Sequence, residues 1–363
     1  VIKGGRGNLI AGCTIRNTGT DGVAVDGSGN GVVGCDIYNT GATGVRLQGG
    51  DRALLVAAGN YADNNHIHDI ARGRQPEAAA IDLGGVGNRV THNLIHGVPH
   101  SGIRYAGNDH LIEYNELLQT CLEAGADGAL YSSRDWGSQG NLLRCNFIHH
   151  LGAATGRASG VCLDDCDSGD RIEENVFYQA GRAVVIAGGR SNTVQNNVFV
   201  DCETAIAVDE RGRDRLRLGA GPAEGWDLRA KLEAVNYRQP PWSERYPHLA
   251  DILADQPELP LHNSLSRNVC VGGRWLEAPE TAAGRLQAQD NLVTTRDPGF
   301  VDPRRLDLRF REDAEVWTAV PGFTAIPMRR IGLYRDAIRA SWPVRQPLCR
   351  GGLAPAAPAT PAP

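Results

Sequence analysis

The sequence predicts an all-β chain wound as a right-handed parallel β-helix, with three short strands per coil, a base repeat of 22 residues and a short helical insertion near residues 225–260. Three observations predict it. Short runs that open on Asn or Cys and continue with alternating apolar residues recur along the chain. The intervals between them return to one base length. Glycine is abundant, at 45 of 363 residues, while aromatics make up only 6%, a composition of many turns and thin layers.

The runs are "CTIRN" from Cys13, "CDIYN" from Cys35, "NHIHD" from Asn65, "NLIHG" from Asn93, "NELLQ" from Asn115, "NFIHH" from Asn146, "NVFYQ" from Asn175 and "NVFVD" from Asn197. Their spacings are 22, 30, 28, 22, 31, 29 and 22 residues, which is one coil per repeat with insertions of variable length on one side. A second strand fits "GVAVDG", "GVRLQG", "AIDLGG", "GIRYAG", "GALYSS", "GVCLDD", "AVVIAG" and "AIAVDE". A third fits "GNRVTHN", "NDHLIEYN", "GNLLRCN", "GDRIEEN" and "SNTVQNN". Stacked coils then bring Asn65, Asn93, Asn115, Asn146, Asn175 and Asn197 into one column, where their amides can form an internal ladder.

Regular coils with groove-forming insertions are expected over residues 1–211. Residues 212–262 break the pattern with two helical runs bounded by prolines and read as a cap or lid. Last coils and a closing segment follow over 263–348, and 349–363 is a Pro/Ala-rich tail with the composition of a disordered linker.

Net charge of -5 gives no footprint for nucleic acid, and no apolar stretch is long enough to span a membrane. Of the 37 basic residues only Lys3 and Lys231 are lysines, which takes lysine out of nearly all of the chemistry. The nine cysteines lack CxxC spacing and read as buried thiols. The opening "VIKGGRGNLIAG" begins in mid-pattern, as if cut from a longer chain, so no leader is visible; the expected location is extracytoplasmic or secreted.

Strand alternation places the candidate site. In "GVCLDD", Val161 and Leu163 point inward, Cys162 and Asp164 point outward, and Asp165 takes the corner. The column through Asp164 is expected to hold the small residues Gly84, Ala106, Ser132 and Ala187, and the neighbouring column Asp82, Arg104, Leu130 and Cys162. The pair Asp164 and Asp165 would therefore face a shallow groove walled by insertions, one of which carries Asp127, Arg134, Asp135 and Trp136. An extended groove with acids and aromatics suits a carbohydrate polymer or oligosaccharide. The catalytic set is Asp164, Asp165 and Asp127, and the substrate-binding set Arg134, Asp135, Trp136, Asp82, Arg104, His149, Trp242 and Tyr246. Within it, Asp82 and Arg104 are expected to form an ion pair. His68, His96 and His149 share a column and are expected to stack between coils, on a face that could also hold a metal. The segment around Trp242 and Tyr246 is expected to border the groove that holds Asp165.

Four stretches, "EYNELLQTCLEAGADGALYSSRDWGSQGNLLRCNFIHH", "GVCLDDCDSG", "AGGRSNTVQNNVFVDCETAIAVDERG" and "PPWSERYP", resemble right-handed parallel β-helix proteins of bacterial polysaccharide-degrading systems, nearest to the family 141 glycoside hydrolases. The resemblance runs from about Asn8 to about Tyr334, where "IPMRRIGLYRD" is similar to a closing segment, and it implies fucosidase- or xylanase-type hydrolysis. The sequence departs from the family pattern in one loop. "EAGADGALY" has Ala126 where the family's Asp falls and Asp127 one place later, and "SSRDW" stands in place of Gly-Arg-Asp.

Three functions follow. In the first, a glycoside hydrolase uses Asp164 or Asp165 with Asp127 as acid and base or nucleophile, without a cofactor. In the second, a polysaccharide lyase or epimerase acts on uronates with Arg104, Arg134, His149 or His150 as base, and Asp164, Asp165 and Asp167 hold calcium. In the third, favoured by the displaced Asp127, the β-helix binds glycans without turnover.

Overall fold

One corner of successive coils is made by a residue in left-handed backbone set immediately before a buried asparagine. Asn64, His92, Tyr114, Cys145 and Glu174 have φ between 51° and 58°. They precede Asn65, Asn93, Asn115, Asn146 and Asn175, all with no exposed surface. A side chain pays a steric cost in that conformation, so the corner needs a compensating tie. The amides supply it. Asn65 donates to Asn93 at 3.0 Å, Asn93 to Asn115 at 2.9 Å, Asn115 to Asn146 at 3.0 Å and Asn146 to Asn175 at 3.0 Å, and the ladder continues through Asn197 and Asn268 to Asn291.

The structure, a computed structural model, describes residues 1–73, 78–123, 128–152, 158–213 and 227–339. It is a right-handed parallel β-helix of three sheets, each with ten strands in sequence order. The first sheet runs from Ile2–Arg6 to Arg274–Glu277, the second from Leu9–Ala11 to Gln287–Gln289 and the third from Thr14–Arg16 to Leu292–Thr294. Inward residues stack in columns of like size, such as Val90, Ile112, Leu143, Ile172 and Val194 in the second sheet, all without exposure. Phe177 and Phe199 stack at 5.0 Å in the third. Such columns bury apolar surface continuously along the axis, at about 25 cal/mol per Å².

A second ladder lies at the corner between the first two sheets. Asn8, Asn30, Asn60, Asn88, His110, Asn141, Asp170, Asn192 and Asn263 are joined coil to coil by side-chain acceptors. Here His110 and Asp170 replace asparagine.

The outer face of the third sheet is covered by the chain's own later part. An antiparallel pair, Phe300–Asp302 with Asp307–Phe310, packs with Phe323 and Ile326 on Phe147, Val176, Val198 and Val269. The chain then runs back toward the early coils. Leu333 packs on Leu94 and Leu118, the Tyr334 hydroxyl donates to Asp63 at 2.5 Å, and Arg339 donates to the Cys35 and Asn64 carbonyls.

A helical segment instead covers the corner beside the second ladder. Helix Leu228–Ala234 and the short turns from Trp242 to Ala254 bury Leu228, Leu232, Trp242, Tyr246, Leu249 and Ile252 against Trp136 and Cys166. Among the described cysteines, Cys13 is exposed and the other seven are buried and unbridged.

Candidate active site

Arg134 and Asp165 take the same corner in successive coils, both in left-handed backbone with φ of 63° and 49°. The turn aims their side chains at each other, Arg134 Nε donating to Asp165 Oδ2 at 2.9 Å. Arg211 donates to Asp164 and reaches Asp165 at 3.4 Å. The two adjacent carboxylates thus coexist because guanidiniums from a preceding and a following coil stand beside them. Asp164 also accepts from the Tyr131 hydroxyl at 3.0 Å and from the Asp165 main-chain N–H at 3.0 Å. Burial first, and the Asp165 charge second, push the Asp164 carboxyl above the usual carboxylate range. Burial and the Asp164 charge push the Tyr131 phenol well up, so it is a hydrogen-bond donor rather than a base.

An open cleft of about 300 Å³ lies beside this cluster on the first sheet, lined by Ser101, Arg104, Tyr105, Ala106, Tyr131, Ser132, Ser133 and Arg134. The columns differ from the expected ones by one residue. Arg104 pairs in register with Tyr131 rather than with Leu130, and Asp164 pairs with Ser133 rather than Ser132. The glycine at the start of "GALYSS" is not the counterpart of Gly102, because Ala129 holds that position and Leu130 turns into the core. The shift puts the Tyr131 ring between Arg104 and Cys162, at the cleft.

Behind the cleft floor stands a buried acidic pair. The Tyr105 hydroxyl donates to Asp170 at 2.5 Å, Asn141 donates to Asp170 at 2.9 Å, and Ser132 donates to Asp167 at 2.9 Å. Burial pushes the Asp170 carboxyl up to about 7, and burial with the Asp170 charge raises Asp167 well above the usual carboxylate range. Asp167 therefore lies inside the wall, where it does not join Asp164 and Asp165 as a calcium cluster.

The remaining expected residues divide. Asp127 lies outside the described residues. Arg104 and Asp82 form the expected ion pair at 3.3 Å, shared with Arg46 at 3.4 Å, and Arg104 borders the cleft. Asp135 is buried and holds Arg52 at 2.8 Å and the Gly137 N–H at 2.8 Å, which makes it a brace for the loop. Trp136 and Trp242 are closed inside the helical segment's core, and Trp242 donates to the Arg52 carbonyl at 2.7 Å. Tyr246 is buried with its hydroxyl on Asp109 at 2.9 Å. These three rings have no free face for a sugar. His149 is wholly buried on the third sheet, between Glu116 and His150, and does not reach the cleft; Leu118 separates it from His96 in its column.

Three residues at the site, Arg211, Asp209 and Lys231, were not singled out from the sequence. Asp209 follows Asp164 in the same outward column, two coils on, and binds Arg211 at 2.7 Å. "AIAVDE" aligned on "GVCLDD" would have found it. Lys231, one of the two lysines that the sequence left out of the chemistry, donates from its ammonium to the Arg134 carbonyl at 2.5 Å. Burial lowers its proton affinity. The helical segment thus reaches the site at Arg134 through Lys231, while Trp242 and Tyr246 stay in its core.

Fold and cleft define a right-handed parallel β-helix protein whose first sheet carries an acid–arginine cluster beside an open cleft. The chain belongs to the family described as the right handed beta helix region, which matches residues 1–76 and 79–216. No curated protein matches it. Two solved structures are similar in fold. One is the alginate lyase AlyF-OU02 in complex with G6, at 14% identity and a TM-score of 0.40, covering 79% of this chain and 58% of that one. The other is the catalytic unit of a thermostable GH87 α-1,3-glucanase from Streptomyces thermodiastaticus strain HF3-3, at 11% identity and a TM-score of 0.41, covering 76% of this chain and 50% of that one. The chain therefore spans between half and three fifths of either protein. Among the described residues no helix is long and apolar enough to cross a membrane.

Proposed function

We propose that the chain is a glycoside hydrolase that cleaves a polysaccharide or oligosaccharide laid along the first sheet. The observation that carries this reading is the unequal setting of two adjacent carboxyls at an open cleft. Asp164, half-buried and raised in proton affinity, suits the general acid that protonates a leaving oxygen. Asp165, paired with Arg134 and Arg211, suits the carboxylate that activates water or attacks. Tyr131 and Arg211 orient the acid, and Arg104 and Arg134 supply donors for sugar hydroxyls. The resemblance to family 141 glycoside hydrolases points the same way. The test is a digestion panel of neutral and acidic polysaccharides read by new reducing ends, with Asp164→Asn and Asp165→Asn beside the parent. Loss of about 10²–10⁴-fold in rate for each variant is expected. Full activity in both, or binding without turnover across the panel, overturns the assignment.

A second reading rests on the charge of the cleft. Arg104 and Arg134 line it, with Arg211 on the neighbouring Asp164 and Lys231 on the Arg134 carbonyl, a setting that would also hold a uronate carboxylate. In a lyase or epimerase the base would then be Lys231, whose proton affinity burial lowers, since His149 and His150 stand on another sheet. An unsaturated product absorbing in the ultraviolet selects this reading over hydrolysis.

A further inference from the structure

Away from the cleft, the early coils place three metal-binding side chains around one point. Alternation in "NHIHD" puts His66 and His68 on the same outward face of the third sheet, and register sets Asp36 directly beside His66 in the preceding coil. Asp36 Oδ1 lies 3.4 Å from His66 Nδ1 and 3.6 Å from His68 Nε2. All three ligand atoms fall within 4.8 Å of one another.

The distances carry information. A hydrogen-bonded imidazole and carboxylate sit closer, as His68 Nδ1 and Asp69 Oδ2 do at 2.8 Å. Asp36 Oδ1, although buried, has no hydrogen-bond partner. Ligands on a tetrahedral ion with bonds of about 2.1 Å stand about 3.4 Å apart, close to the two separations seen here. The far nitrogens of both rings are already engaged. His68 Nδ1 faces Asp69, and His66 Nε2 faces His96 Nε2 at 2.8 Å. Such outer partners fix which nitrogen is left to bind a metal. The rings are also held in place: His68 stacks between Tyr38 and His96 at 5.0 Å on either side. The Asp36 and His68 side chains keep 16% and 18% of their surface exposed, enough for an ion to enter.

We propose that Asp36, His66 and His68 form a binding site for a zinc-class divalent transition-metal ion, with at least one coordination position left to solvent. Two imidazoles and one carboxylate suit zinc, cobalt, nickel or copper and not the all-oxygen preference of calcium or magnesium. The ion would tie the coil of Asp36 to the coil of the two histidines and so stiffen the early end of the β-helix. Arg339, which donates to the Cys35 and Asn64 carbonyls nearby, adds positive charge that moderates the affinity.

The test uses the full chain, stripped with chelator and titrated with Zn²⁺ by calorimetry and with Co²⁺ by visible absorption. One equivalent is expected, with a rise in unfolding temperature that follows mass action. Asp36→Asn and His68→Gln should abolish this equivalent, Asp69→Asn should weaken it about 10–100-fold, and the exposed His262→Gln should leave it unchanged. Circular dichroism checks that each variant is folded, and His66→Gln gives a second ligand variant if one is not. No bound equivalent, or binding that is the same in folded Asp36→Asn and His68→Gln proteins, overturns the proposal.

Discussion

Asp164 and Asp209 stand in one outward column, two coils apart across Ala187, and Arg211 donates to both. At a spacing of about 4.8 Å per coil their backbones are about 9.6 Å apart, so the guanidinium bridges them. Asp209 draws part of the Arg211 charge away from Asp164. Removing it in Asp209→Asn leaves that charge to Asp164 and lowers the proton affinity of the acid. A general acid works only while protonated, so the basic limb of the kcat–pH profile should move to lower pH. A one-unit move would cut the protonated fraction about tenfold above the limb. Asp209 acts here as a positioning residue: a profile that keeps its limbs while kcat falls would show a merely structural role.

Asp170 is one of two members of its ladder that replace asparagine, and burial raises its carboxyl to about 7. The folded chain therefore holds this proton more tightly than the unfolded chain, whose value is near 3.8. Its favourable contribution is complete below about 4 and is lost as pH rises toward 7, at no more than about 1.4 kcal/mol per pH unit. Asp170→Asn keeps an acceptor for Asn141 and presents a donor to Tyr105 without the buried charge. The variant should be the more stable protein at pH 8, with the advantage gone near pH 4, as read by urea unfolding at both pH values.

Repeats made the fold legible, because a coil that must stack on its neighbour repeats its inward residues and its corner amides. The ladder from Asn65 to Asn197 was readable for that reason. The second ladder was not, since His110 and Asp170 interrupt its asparagines while serving the same acceptor role. Alternation placed Asp164 and Arg104 on outward strand positions, while the corner contact of Arg134 with Asp165 was not readable from it. A glycine taken as the start of its strand moved Tyr131 out of its column, and the partners Arg211 and Lys231 come from segments whose packing the repeat does not encode.

The first ladder also sets a stability prediction. Asn146 accepts from both the main-chain N–H and the side-chain amide of Asn115, at 3.0 Å each. In Asn146→Ala the Asn115 main-chain N–H stays buried without its acceptor, at about 1–3 kcal/mol, while the Asn115 side-chain amide keeps the Val90 and Glu113 carbonyls. The loss should show as a lower urea midpoint with an unchanged slope; a fall of less than about 1 kcal/mol would mean that neighbouring carbonyls or water replace the amide.

Trp242 anchors the helical segment to the β-helix, with its ring wholly buried and its N–H on the Arg52 carbonyl. Trp242→Ala should cost about 3–5 kcal/mol in the packing of that segment. Limited proteolysis should then cut at Arg238 or Arg245 well before the coils are attacked. The segment reaches the site through Lys231, whose ammonium holds the Arg134 carbonyl while Arg134 holds Asp165. Lys231→Met removes that tie and leaves the Trp242 packing in place. If the segment serves the site by positioning Arg134, both variants should lower kcat/KM on the substrate found by digestion, and only Trp242→Ala should become protease-sensitive. If Lys231→Met keeps full kcat/KM while Trp242→Ala loses it, the segment contributes through its packing, and Lys231 has no part in positioning Arg134.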